Sequence, residues 1–221
     1  MPATAGIFRV PVAPLAAFMN GWVQCLNQSM EPLARLFQNP VRLKLLRLFI
    51  FNDDTCFTAA AASFRTKSTK AAARREITVL LAADVIRKKT GRNAGYMANK
   101  KFVHYEPLKT FLRETTEVRD ADMVAKVKRA GTLRLLMLSG MFTGAIESKV
   151  DLLIVGDRLD EKRLATAIHG LEAELGRELR YAAFTTEEFK YRRGVYDRLL
   201  RDTFDYPNRI ILDRLGVSQT A

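Results

Sequence analysis

Ser139, Gly140, Lys149 and Asp151 fall in one stretch, SGMFTGAIESKVDLLIVGD (139–157), whose residue types come close to a site for phosphate chemistry. A turn of small residues lets backbone N–H groups approach an anion, and carboxylates at alternate positions of the following strand can hold divalent cations roughly 3.5–4 Å apart. Only one of those positions is acidic here. Asp151 stands at the head of an apolar run, and Lys149 occupies the place two residues earlier. Side chains two apart on a strand share a face, so the expectation is an ammonium beside Asp151 where a cation should bind. Glu147 is no substitute, because four residues along a strand span about 13 Å. Taking Asp151 as the first of the pair puts Leu153 second. These residues imply a fold that has kept a phosphate-type turn without a metal pair, so neither a metal nor another cofactor is expected.

A second constellation is basic. Between Arg65 and Lys101 eleven Lys and Arg residues face only Glu76 and Asp84, a window of net +9 in a chain whose formal net charge is +12. Lys70, Arg74 and Thr78 recur every four residues, flanked by Arg75, on the side opposite the apolar stripe Ala73, Ile77, Leu80 and Leu81. A helix with one buried stripe and one basic row can lie in the major groove of duplex DNA. Arg87, Lys88, Lys89 and Arg92 fall in a hairpin and suit phosphate contact, which positions a protein but reads little sequence. Tyr96 is the hairpin's lone aromatic, which disfavours single-stranded RNA. Such charge runs also occur as plain solvated faces; here charge, element order and helix face agree on DNA.

The elements that must position these residues follow from patterning. Asn39-Pro40 starts a helix, Thr58 caps a short Ala-rich helix over 59–64, and Ser68 or Thr69 caps a third reaching about Ala83. Residues 85–89 and 96–98 read as paired strands around the turn GRNAG (91–95), and Pro107 opens a helix over 108–114. Residues 33–114 resemble the winged helix-turn-helix domains of bacterial regulators of the ArsR and MarR kind. The resemblance rests on NPVRLKLLRLF, ARREITVLLAADVI and RKKTGRNAGYMAN. It implies duplex DNA as partner, with Ser68, Thr69, Lys70, Arg74, Arg75, Thr78, Arg87, Lys88, Lys89 and Arg92 as contact residues. Asp84 departs from it, standing where such domains usually place glycine.

Mixed charge over 115–130 marks a connecting helix and a boundary. Beyond it strands are expected over 132–138, 150–155 and 178–184, and helices over 160–175 and 186–203. The run 150–155 reads as a strand buried on both faces. Residues 131–210 resemble the minimal nucleotidyltransferase domain of the polymerase-β-like superfamily, on Ser139-Gly140 and VDLLIVGD. In that family the turn approaches nucleotide phosphates, which makes Ser139, Gly140, Lys149 and Asp151 a residual nucleotide or phosphate site, and a nucleotide or other anionic ligand an expected partner. The family also places a third carboxylate on a later strand, for which the resemblance offers Glu178, although Arg180 and Tyr181 stand where the pattern more naturally puts one.

The expected fold class is α+β: an N-terminal arm (1–30), a winged helix (31–114), a connecting helix (115–130) and a nucleotidyltransferase-like domain (131–221) with a small mixed central sheet. The expected function is a cytoplasmic DNA-binding transcriptional regulator whose second domain senses a ligand or dimerises. The alternative is an active Mg²⁺-dependent nucleotidyltransferase targeted by its winged helix, and a purely structural interaction module is a third reading. Cys25 and Cys56 are too few and too far apart for a disulfide framework, and with only His104 and His169 no zinc constellation arises. Residues 10–25 are apolar but broken by Pro11, Pro14 and Asn20, shorter than the roughly 20 residues a membrane span needs. That arm reads either as a poorly ordered or surface-docked segment or as an amphipathic helix around Trp22 that packs on a second subunit. Phe18 and Trp22, or the charged stretch 187–202, would then form the surface of a homodimer.

Overall fold

The computed structural model describes residues 32–116, 118–145 and 147–217, so the expectations for the arm, Phe18 and Trp22 lie outside the described residues. The chain divides into two units at Pro40, and in the first a short helix, α1 (Pro32–Leu36), is described. Residues 41–221 form one compact unit.

The helical part of that unit comprises α2 (Pro40–Phe51), α3 (Ala59–Arg65) and α4 (Lys70–Ala82), then the hairpin β1 (Ile86–Lys89) and β2 (Gly95–Ala98), then α5 (Tyr105–Thr115). α2 begins at Pro40, as the Asn39-Pro40 pair predicts. Thr58 accepts from Ala61 N at 3.1 Å, and of the two candidate caps for α4 it is Thr69 that accepts from Ala72 N, at 3.2 Å. The chain leaves α4 through Asp84, whose φ of +58° is the left-handed conformation glycine more often supplies. The hairpin is antiparallel, Ile86 opposite Ala98 and Lys89 opposite Gly95, and Phe57 adds a bridge to Tyr96. Asn99 closes its base by donating from Nδ2 to the Asp84 carbonyl at 2.9 Å. α5 starts at Tyr105 rather than after Pro107. Proline is tolerated there because the N–H groups of a helix's first turn have no intrahelical partner.

The remainder runs α6 (Asp120–Lys128), β3 (Thr132–Leu138), a 3₁₀ turn (Gly140–Phe142), β4 (Leu152–Asp157), α7 (Glu161–Leu175), β5 (Tyr181–Phe184), α8 (Thr186–Gly194), α9 (Arg198–Asp205) and β6 (Arg209–Asp213). The sheet order is β5-β4-β3-β6, with β4 and β5 parallel and the other pairs antiparallel. The fold is therefore α+β, with one small mixed sheet and one antiparallel hairpin. β6 has no counterpart among the expected strands, though Ile210-Ile211-Leu212 between Pro207 and Gly216 carries a strand signal.

The sheet is buried on both faces, which is why β4 reads as an unbroken apolar run. Leu136, Leu138, Leu152 and Ile154 pack with Leu164, Ile168 and Leu171 of α7 and Met123 and Val127 of α6. Leu135, Met137, Leu153 and Val155 pack with Phe189 and Leu200 on the other side. An irregularity between Leu133 and Leu135 lets Leu133 join the same face as Leu136. The single helix expected over 186–203 is two. Tyr196 has φ +54°, and Asp197 caps α9 by accepting from Leu199 N at 3.0 Å. Val195 and Tyr196 lie exposed at that break.

The helical part and the sheet-bearing part pack directly on one another. Buried Arg47 donates to the Glu174 carbonyl at 3.1 Å, and Asn52 Nδ2 donates to the Gly176 carbonyl at 2.7 Å. Phe64 stacks on His169 with ring centroids 4.7 Å apart, and Arg65 pairs with Glu178. Gly176, with φ +73°, ends α7 at this seam, and a Cβ there would lie 2.6 Å from the Arg47 backbone. Among the described residues no helix is long and apolar enough to cross a membrane.

Candidate nucleic-acid interface and the carboxylate turn

α4 buries Ala73, Ile77 and Leu80, while Leu81, expected in that stripe, is only partly buried. Its place is taken by Glu76. At 7% exposure Glu76 turns inward, where Arg42 Nε donates to it at 2.7 Å. The helix's one acidic side chain is thereby withdrawn, and its outer face is left with Lys70, Arg74, Arg75 and Thr78, all exposed. Arg87, Lys88, Lys89 and Arg92 are exposed on the hairpin that follows. Among the described residues none of these seven basic side chains forms an ion pair.

The hydroxyls grouped with them do local work. Thr69 caps α4, Thr78 donates to the Arg74 carbonyl at 3.0 Å, and Ser68 Oγ lies 2.8 Å from Thr66 Oγ1. They shape the helix start and surface, and the long cations provide the reach. The basic surface is also wider than the sequence window. Lys67 in the α3–α4 turn joins Lys44, Lys126, Arg129, Lys162 and Arg163 around a cavity of about 650 Å³ that includes Glu174. Separate stretches of the chain bring those cations together, so no local sequence signal marks them as a group.

The carboxylate turn is assembled differently from the expectation. Ser139, Gly140 and Asp151 do come together, all buried. Asp151 precedes β4 and its carboxylate accepts four hydrogen bonds: Oδ1 from Met141 N at 2.9 Å and Arg180 Nη2 at 2.8 Å, and Oδ2 from Arg180 N and Arg180 Nε, both at 3.0 Å. Burial works to raise its pKa, but the Arg180 guanidinium and the two backbone N–H groups outweigh that and hold the carboxyl below its usual value.

Lys149 is not the partner. Residues 149 and 151 lie outside the regular strand, so alternation does not place them on one face. Lys149 is 61% exposed, with Nζ 4.0 Å from Asp202. The neutralising cation is Arg180, which stands where the sequence pattern looks for a third carboxylate. Parallel pairing of β4 with β5 carries it there. Glu178 points away to Arg65 across the seam.

The turn's anion-binding capacity is likewise already used. Gly140 has φ +54°, and a Cβ on it would collide with the Asp151 carboxylate and lie 3.2 Å from Arg180 Nη2. The following N–H, of Met141, is spent on Asp151. Ser139 Oγ lies 3.2 Å from both Ser148 Oγ and the Pro207 carbonyl. The nest expected for an external phosphate therefore holds the chain's own carboxylate. Among the described residues no cluster of three or more His, Cys, Asp and Glu side chains is placed to hold a metal ion.

No family model, curated protein or solved structure matches this chain.

Proposed function

We propose that the chain is a DNA-binding transcriptional regulator of a reducing cytoplasm. Its helical part is read as a winged helix-turn-helix, with α4 as the recognition helix and β1–β2 as the wing. Its sheet-bearing part is read as a nucleotidyltransferase-like domain turned to sensing or dimerisation. The observation that carries the reading is the set of seven exposed, ion-pair-free cations on the outer face of α4 and the hairpin, with Glu76 turned inward. A purely solvated face gains nothing by excluding its counter-charges, whereas a polyphosphate surface supplies them.

The test is fluorescence anisotropy with duplexes that the purified protein selects from genomic fragments. Arg74→Ala with Arg75→Ala weakens the selected duplex by about 1–3 kcal/mol for each bidentate pairing with a base that is removed. Lys88→Ala with Lys89→Ala weakens all duplexes alike and lowers the salt slope by about 0.9 for each phosphate no longer neutralised. Double variants that bind like the parent at moderate salt overturn the proposal. A homodimer is the expected active form, because a single winged helix covers a short site and operators commonly mirror a two-fold axis. Light scattering that gives a monomer mass at micromolar concentration, with and without DNA, refutes it.

The alternative, a metal-dependent nucleotidyltransferase, requires Asp151 to exchange a bidentate guanidinium and two backbone donors for cations. Transfer from labelled NTP in Mg²⁺, abolished by Asp151→Asn, would establish that alternative.

A further inference from the structure

Beside the carboxylate turn lies a cavity of about 450 Å³ whose lining combines an apolar wall with guanidinium groups. Met141 and Phe142 of the 3₁₀ turn, Leu175 at the end of α7 and Phe51 at the end of α2 supply the wall. Two of its four arginines are neutralised internally: Arg180 by Asp151, and Arg209 by Asp120. The other two, Arg113 at the end of α5 and Arg177 after α7, form no ion pair among the described residues.

Arg177 is the unusual member. Its guanidinium lies over the Phe51 ring, 4.7 Å from the centroid, and its Nε is buried without a hydrogen-bond partner. A buried donor left unsatisfied is destabilising, and more so when it is charged. Burial and, after it, the nearby positive charge of Arg113 lower its pKa against the smaller opposing pull of the Asp53 carboxylate, so the two guanidiniums repel each other. Two cations without an ion-pair partner among the described residues, one with an idle buried donor, around an aromatic and thioether wall of ligand-pocket size are the complement of an anion with a flat apolar body.

We propose that this cavity binds a small aromatic dianion, a ring that carries a phosphate monoester or a pair of carboxylates. The acidic groups lie between Arg113 and Arg177 and the ring lies against Phe142, Met141 and Leu175. The site is distinct from the Ser139–Gly140 turn, whose donors are taken. The proposal gives a ligand class to the sensor reading above and rests on that reading only for its biological role, since binding is measured without DNA.

Isothermal titration calorimetry of the full chain at about pH 8, where a phosphate monoester is dianionic, compares phenyl phosphate, phthalate and inorganic phosphate. Phenyl phosphate or phthalate binds, and which one does identifies the acidic group; inorganic phosphate binds at least about tenfold more weakly because it cannot use the apolar wall. Arg113→Ala, a surface change, weakens the organic ligand at least about tenfold, as expected when a charge-assisted hydrogen bond is removed. Arg177→Met abolishes binding yet raises the unliganded melting temperature, since it replaces a part-buried cation that carries an unsatisfied buried donor with an apolar chain of similar length. Absence of heat for both organic probes at millimolar concentration overturns the proposal. So does binding that survives both substitutions, or inorganic phosphate binding as tightly as phenyl phosphate.

Discussion

Replacing Asp151 with Asn separates the two possible roles of the carboxylate turn. If Asp151 is a structural clamp, its loss destabilises the fold; if it is kept for chemistry at the expense of stability, its loss is neutral or stabilising. The geometry allows a magnitude. The side chain is 3% exposed and accepts four hydrogen bonds, two of them from backbone N–H groups. Asparagine preserves the shape but sets an NH₂ against the Arg180 N–H and Nε–H. One part-buried backbone donor then loses its acceptor, a cost of about 1–3 kcal/mol. The ion pair adds about 1 kcal/mol, near the top of the surface range, because Arg180 is half exposed and water takes over much of its solvation. The expected loss is about 3 kcal/mol, or roughly 6–12 °C in Tm for a chain of this size. Urea denaturation followed by circular dichroism should show a lower midpoint with unchanged m.

The pH dependence gives a second readout of the same substitution. The folded pKa of Asp151 lies below its ordinary value, so its contribution is present at neutral pH and lost as pH falls below about 5 toward the folded pKa. Asp151→Asn should flatten that acid limb, and a double cycle with Arg180→Ala should return a coupling of at least about 1 kcal/mol. An Asp151→Asn protein within about 0.5 kcal/mol of the parent across this range would refute the clamp, since surface changes alone produce that much. Asp53 contributes to the same limb. Burial works to raise its pKa, but hydrogen bonds from Lys109, Tyr105 and Lys100 outweigh it and hold the carboxyl far below the usual range. The Asp151→Asn protein should therefore keep part of the acid sensitivity.

Two further substitutions probe the seam and the basic surface. Gly176→Ala combines a left-handed backbone with a Cβ 2.6 Å from the Arg47 backbone, and should cost at least about 2 kcal/mol in urea denaturation, where the same change at an exposed compatible site stabilises. Asp84→Asn keeps a residue that tolerates φ +58° while removing the exposed carboxylate that interrupts the basic window; it should leave stability within about 0.5 kcal/mol and tighten duplex binding at low salt, as read by anisotropy.

The elements that depend on local signals are legible in the sequence: the Asn39-Pro40 start, the Thr58 and Thr69 caps, the strand Thr132–Leu138, and the two-sided burial of β4. What could not be read depends on contacts between distant residues. Arg180 meets Asp151 because a parallel pairing sets Tyr181 beside Leu152, and register across a crossover is not encoded in either strand alone. Glu76 turns inward because α2 presents Arg42 to it, which overrides the apolar periodicity that nominates Leu81. The break at Tyr196 is hidden because a left-handed tyrosine has no composition signal, although Gly194 and Asp197 flank it.

The same physical logic connects the two halves. In the sheet-bearing part a carboxylate that could have faced a cation is consumed by an arginine, and the glycine turn that could have faced a phosphate is filled by that carboxylate. The charges cancel in place, and the turn becomes a rigid joint between β3, β4 and β5. In the helical part the reverse happens: the acidic residue of α4 is drawn inside and the cations are left outside, uncancelled. Interior pairing satisfies the charges of one surface while exterior unpairing leaves an electrostatic demand on another. Arg47, Asn52 and Gly176 lock the halves along one seam, so the basic face of α4 and the hairpin is held on the framework that the Asp151–Arg180 pair braces. On the proposed reading a partner rich in phosphate would meet that demand with the release of its counterions, whereas a metal ion at the turn would have to break four hydrogen bonds first.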